Sequence, residues 1–129
     1  MEPRDLIKVW DAPDNSILTP KQWSIRLPII VAAKINALCV MFPRKSKTEI
    51  IGDLLATALD QLEQGFDITR GEPFGEHDNQ IIYYGSGQRK YFLDMTAHFL
   101  QQLEKEANVT EPMEFNTTIL CDGKGNPCD

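Results

Sequence analysis

The residues of this 129-residue chain best suited to chemistry are three cysteines, two histidines and an Asp/Gly-rich loop near the C-terminus. Cys121 and Cys128 flank Asp-Gly-Lys-Gly-Asn-Pro, where two thiols can close a small loop or, with further ligands, hold a metal. The expected state is two free thiols on a loose tail, as a reducing compartment would keep them. Cys39 falls in an apolar stretch, where a thiol behaves as a small hydrophobe. His77 and His98 have no metal-ligand spacing between them. Asp122-Gly123-Lys124-Gly125-Asn126 has the flavour of a calcium loop but lacks its length and terminal Glu. Arg89 and Lys90 lie near Tyr83, Tyr84 and Tyr91, a composition suited to stacking RNA bases, but the surrounding acidity opposes it. There is no Gly-rich phosphate loop, no zinc motif and no nucleophile with an evident base. The expectation is a protein that is not an enzyme, with no cofactor and no metal.

Charge points elsewhere. The net charge is −6 and unevenly spread. Residues 20–65 hold six basic side chains against four acidic ones, whereas residues 66–129 hold five against eleven and residues 1–19 two against four. A locally basic segment between acidic flanks suits a nucleic-acid reader whose acidic parts face away from the ligand. Apolar content of 42% and charged content of 25% are ordinary for a globular chain. No run approaches the ~18 apolar residues of a membrane span, and the acidic N-terminus is unlike a signal peptide. These features predict a cytoplasmic protein.

The elements that position the basic segment follow from periodicity. Leu6-Ile7-Lys8-Val9-Trp10 reads as a short strand in an N-terminal arm, residues 1–19, ended by the turn-rich Asp11–Ser16. Trp23, Ile25 and Leu27 alternate with Gln22, Ser24 and Arg26, the period of a half-buried strand. Pro28 ends that strand and suits a helix start. Val31, Ile35, Leu38 and Phe42 then follow at helical spacing over 29–42, with Lys34 and Asn36 facing out. Pro43 stops this helix. Ser46-Lys47-Thr48-Glu49 is a capping box, and the helix it opens runs to about Gln64 with Ile50, Ile51, Leu54, Leu55, Ala58, Leu59 and Leu62 on a broad apolar stripe. Gly52 within it costs about 1 kcal/mol relative to Ala, which a close helix crossing would explain. Residues 66–80 read as an irregular linker, Gln80–Tyr84 as a short strand and 89–107 as a helix, the last two within an appendage covering 66–110. Residues 111–129 read as a flexible tail.

A single copy of residues 20–65 cannot satisfy this pattern. One strand needs a partner for its backbone groups, and two helices make a thin core. Two copies pair their strands antiparallel and close four helices over the apolar face. The expected fold is therefore mainly α with a short β-ribbon, a β-α-α intertwined homodimer carrying a C-terminal α+β appendage. Its dimer core is Trp23, Ile25, Leu27, Val31, Ile35, Leu38, Ile50 and Leu54, and its two-stranded ribbon fits the DNA major groove.

With Ser24-Ile25-Arg26-Leu27-Pro28, the helical Val31, Ile35 and Leu38, and then Arg44-Lys45-Ser46-Lys47-Thr48-Glu49-Ile50-Ile51, about a third of the chain resembles the ribbon-helix-helix superfamily of Arc, MetJ and CopG type. It departs from the family at the turn, where Phe42-Pro43-Arg44-Lys45 replaces the frequent glycine, and in the large Trp23. The resemblance implies base contacts from Gln22, Ser24 and Arg26, residue types that pair with base edges. It implies phosphate contacts from Lys21, Arg44, Lys45, Ser46, Lys47 and Thr48, the last three at a helix N-terminus that favours anions. The implied function is a homodimeric, sequence-specific transcription repressor or autoregulator of double-stranded DNA. The alternative is an antitoxin-like or scaffold protein whose acidic residues 66–129 bind a protein partner.

Overall fold

A computed structural model describes residues 3–9 and 17–128, so the turn expected at Asp11–Ser16 lies outside the described residues. The chain forms two compact units, Met1–Leu62 and Glu63–Asp129. After a single 3-10 turn at Pro3–Asp5, the elements are α1 (Leu6–Val9), α2 (Ile29–Met41), α3 (Lys47–Gly65), β1 (Thr69–His77), β2 (Gln80–Ser86), α4 (Gln88–Glu106) and β3 (Leu120–Cys121).

This order overturns the expected fold. Beyond the short N-terminal turns it is α-α-β-β-α-β, with its strands in one three-stranded antiparallel sheet, β1-β2-β3. It is not a β-α-α ribbon-helix-helix chain led by a strand. Residues 22–28 belong to no strand, and every side chain from Lys21 to Ile30 is exposed. Trp23, Ile25 and Leu27 alternate as a half-buried strand would, but a strand also needs a hydrogen-bonding neighbour. The run at Leu6–Val9 is helical where a strand was expected, and Leu6 is buried against Ile50.

In the first unit the core is small. Leu6 and Ile50 are buried, and Leu38, Cys39, Phe42 and Leu54 pack around them, so the apolar packing gathers at the turn joining α2 to α3. Ile35 is also buried. Both helices fall where periodicity puts them. Pro28 precedes the first helical residue, and its carbonyl accepts from the Ala32 N–H at 3.0 Å. At the far end the Phe42 N–H still donates to the Leu38 carbonyl before Pro43 prevents a further turn.

The second unit replaces the expected linker with a strand. β1 pairs with β2 from Thr69↔Ser86 to His77↔Gln80, joined by Asp78-Asn79. Both turn residues have positive φ, 52° and 62°, the mirror-image turn whose twist matches a hairpin. Two register shifts absorb Pro73 within the outer strand. Tyr83 and Tyr84 also pair with Cys121 and Leu120 of β3. Ile119 and Cys121 are buried, so part of the expected tail is core. Phe66 and Phe92 pack with ring centroids 5.3 Å apart, beside the buried Leu93 of α4.

Candidate nucleic-acid interface

Between α2 and α3, residues Phe42–Ser46 form a basic turn, and the first turn of α3 presents its amide groups beside it. The capping box closes as its sequence requires. The Glu49 N–H donates to Ser46 Oγ at 3.1 Å, and the Ser46 N–H donates back to Glu49 Oε1 at 3.2 Å. The bond from the Ser46 amide, then that from its hydroxyl, hold the Glu49 carboxyl below its ordinary range. Ser46 and Glu49 thereby consume two donors. The N–H groups of Lys47 and Thr48 belong to the opening turn of the helix, where backbone donors lack intrahelical acceptors and an anion is favoured.

The basic side chains around this end are not equivalent. Arg44, Ser46, Lys47 and Thr48 are exposed. Lys45 is buried, its side chain only 5% exposed, and its Nζ lies 3.5 Å from Glu49 Oε2. A buried ammonium committed to a carboxylate holds the turn together and is poorly placed to meet a phosphate. Lys21 is exposed, and its carbonyl accepts from Thr19 Oγ1 at 2.9 Å. Gln22, Ser24 and Arg26 are exposed on the segment before α2. The eight residues expected as a dimer core divide in two. Ile35 and Ile50 are buried and Leu38 and Leu54 half-buried within the chain, whereas Trp23, Ile25, Leu27 and Val31 are exposed.

One electrostatic feature was missed by dividing the chain at residues 20 and 65. From Ile17 to Thr48 there are six basic side chains and no acidic one, with Lys34 on α2 completing the set. Counting charge by element would have found it. The acidic residues of α3 begin only at Glu49, followed by Asp53, Asp60 and Glu63.

The other chemical candidates do not gather. No three of His, Cys, Asp and Glu form a metal-sized cluster among the described residues. Asp122 caps its own turn, its Oδ1 accepting from the N–H groups of Lys124 at 2.8 Å and Asn126 at 3.0 Å. Those two bonds, Asn126 first, lower its pKa. The three cysteines are free thiols, and burial raises the pKa of Cys121. Among the described residues no helix is long and apolar enough to cross a membrane. No family model, curated protein or solved structure matches the chain.

Proposed function

We propose that this chain is a sequence-specific, double-stranded-DNA-binding transcription regulator that acts by occupying its operator. The observation that carries the reading is the acid-free basic run Ile17–Thr48, which ends on the exposed N-terminus of α3. Arg44 and Lys47 supply charge, and the hydroxyls of Ser46 and Thr48 and the α3 amides supply directed donors, the mixture that fixes a phosphate backbone. Lys21 and Lys34 extend that contact. Gln22, Ser24 and Arg26 then present groups that discriminate base edges, Arg to guanine and Gln to adenine. In this reading Lys45 is removed from the phosphate set, because it serves Glu49.

Selection of bound duplexes from a random pool, read by sequencing, tests the proposal. The expected result is an enriched motif, lost in Arg26→Ala while overall helicity persists. Recovery of duplexes without sequence preference, or none at near-physiological salt, overturns it.

A second reading is favoured by the other unit. Residues 66–129 are strongly acidic, and Tyr91, Met95 and Phe99 form an exposed line at four-residue spacing on α4. An acidic surface with an apolar helix stripe suits a basic protein partner. That reading expects a defined basic protein to co-purify with the full chain and to be lost from a Tyr91→Ala, Phe99→Ala variant.

A further inference from the structure

From Ile17 to Val31 fifteen consecutive residues are exposed, and eight of them are Ile, Leu, Val or Trp. Trp23 is 77% exposed and Ile29 90%. Single apolar side chains on a surface are ordinary, but a contiguous set marks a binding site. These residues adjoin along the chain itself. The polar members of the stretch are Thr19, Lys21, Gln22, Ser24 and Arg26, and none is acidic.

The stretch runs directly into α2, whose outer side continues it. Ile35 is buried and Ala32, Leu38 and Cys39 are half-buried, which fixes the inner side of the helix. Opposite them, at about 100° per residue, lie Ile29, Val40, Ala33, Ala37, Ile30 and Met41, all exposed. They form an apolar band about a third of the circumference wide. Asn36 stands at one margin of this band and Lys34 at the other, both exposed. The two polar residues of IIVAAKINALCVM therefore frame its outer apolar face. At thirteen residues α2 is about 20 Å long, well short of a bilayer's hydrocarbon core.

We infer that α2 and residues 17–28 before it dock on the surface of an anionic lipid bilayer, with the outer band of α2 and Trp23 in the boundary between headgroups and acyl chains. Charge is the first reason. Lys21, Arg26, Lys34, Arg44 and Lys47 are exposed cations within and beside the apolar stretch, and no acidic side chain lies between Ile17 and Thr48 to repel a lipid phosphate. A second copy of this face would oppose cations to cations. Hydrocarbon is the second reason. The phosphates of a duplex would satisfy those cations and leave Trp23, Ile29 and Val40 in water, whereas a bilayer takes both. The placement of the polar groups is the third. Lys34, at the margin of the band, carries its charge on a long apolar stem that reaches from the acyl boundary to the headgroups. Tryptophan is a favoured side chain at that depth.

The inference goes beyond the DNA reading and does not rest on it. Flotation of the full chain with vesicles of phosphatidylcholine and phosphatidylserine, at about two to one, tests it. The chain is expected to float with these vesicles and to stay behind with phosphatidylcholine alone. Lys21→Ala and Arg26→Ala are each expected to weaken binding about fivefold. Val40→Glu, at a position 81% exposed and so open to a carboxylate in the free chain, is expected to weaken it about tenfold or more with helicity unchanged. In a Trp10→Phe chain Trp23 is the only tryptophan, and brominated acyl chains are expected to quench its emission. No flotation with the mixed vesicles, or equal flotation with neutral ones, overturns the inference. So does flotation that leaves Trp23 unquenched or is undiminished in Val40→Glu, since binding is then by charge alone. A face already covered by a protein partner or a second copy gives the first result, and a site built only for nucleic acid gives the last.

Discussion

The sharpest test of the DNA reading is the salt dependence of binding in three single variants, Arg44→Ala, Lys45→Ala and Lys47→Ala. These residues are near neighbours in sequence and differ chiefly in burial and commitment. Each phosphate contact contributes about 0.9 to the slope of log affinity against log salt, through release of condensed counterions. Arg44 and Lys47 are exposed beside the open amides of α3, so each substitution is expected to lower the slope by about that amount. Between about 50 and 200 mM salt, the affinity loss of each variant is then about 3- to 4-fold smaller than that of the wild type. Lys45 differs because its side chain is 5% exposed and sits against Glu49. Lys45→Ala is expected to leave the slope unchanged while lowering stability, since it strips a half-buried carboxylate of its cation. Fluorescence anisotropy on one duplex over a salt series reads the slopes, and denaturant unfolding reads the stability. Equal slope changes in all three variants, or none in Arg44→Ala and Lys47→Ala, would refute the assignment.

Three further outcomes follow from the geometry. The Glu49 carboxyl, lowered chiefly by the Ser46 N–H, contributes stability that is present above its ordinary value of 4.5 and lost as pH falls through its depressed folded value; the stability gap between wild type and Glu49→Gln should therefore be larger at pH 7 than at pH 3 in urea titrations. Gly85→Ala would place its Cβ 2.6 Å from Ile119 Cγ2, with Ile68 Cγ2 also close at 3.0 Å; overpacking of this kind should cost about 1–3 kcal/mol in denaturant unfolding, and an unchanged midpoint would show that β2 does not press on the residue-119 segment. Asn79 has φ 62° in the hairpin turn; Asn79→Gly should be neutral or slightly stabilising, whereas Asn79→Val should cost about 1–2 kcal/mol, measured as thermal midpoints of the two variants.

The parts of this fold legible in sequence are those specified by local rules. The three long helices declare themselves by period, by Pro28 and Pro43, and by the Ser46/Glu49 box, and they lie where those signals put them. What failed was the inference about which segments pair as strands. Trp23, Ile25 and Leu27 alternate like a strand, but alternation describes which way side chains point and not which backbone completes the ladder. β1 was hidden for the opposite reason. Gly71, Pro73 and Gly75 interrupt its pattern, and the strand exists because β2 pairs across the Asp78-Asn79 turn and two register shifts accommodate the proline. Leu6–Val9 was too short for periodicity to separate helix from strand. At the candidate site the capping box was readable to the atom, since its donors lie three residues apart. The burial of Lys45 was not, because it depends on how the turn packs and not on which residues flank it.

The register shifts in β1 bear on how this protein can fail as well as how it folds. β1 is the longer of the sheet's two outer strands, and an open margin is the usual template on which chains stack into fibrils. Pro73 offers no N–H there, and the two irregularities spoil the even spacing that an incoming strand would need. Glu72 and Glu76, both exposed, would stack like charges in an in-register layer. The sheet is therefore guarded against growth along β1. A chain with so much bare hydrocarbon in one half is guarded in the other against growth without limit.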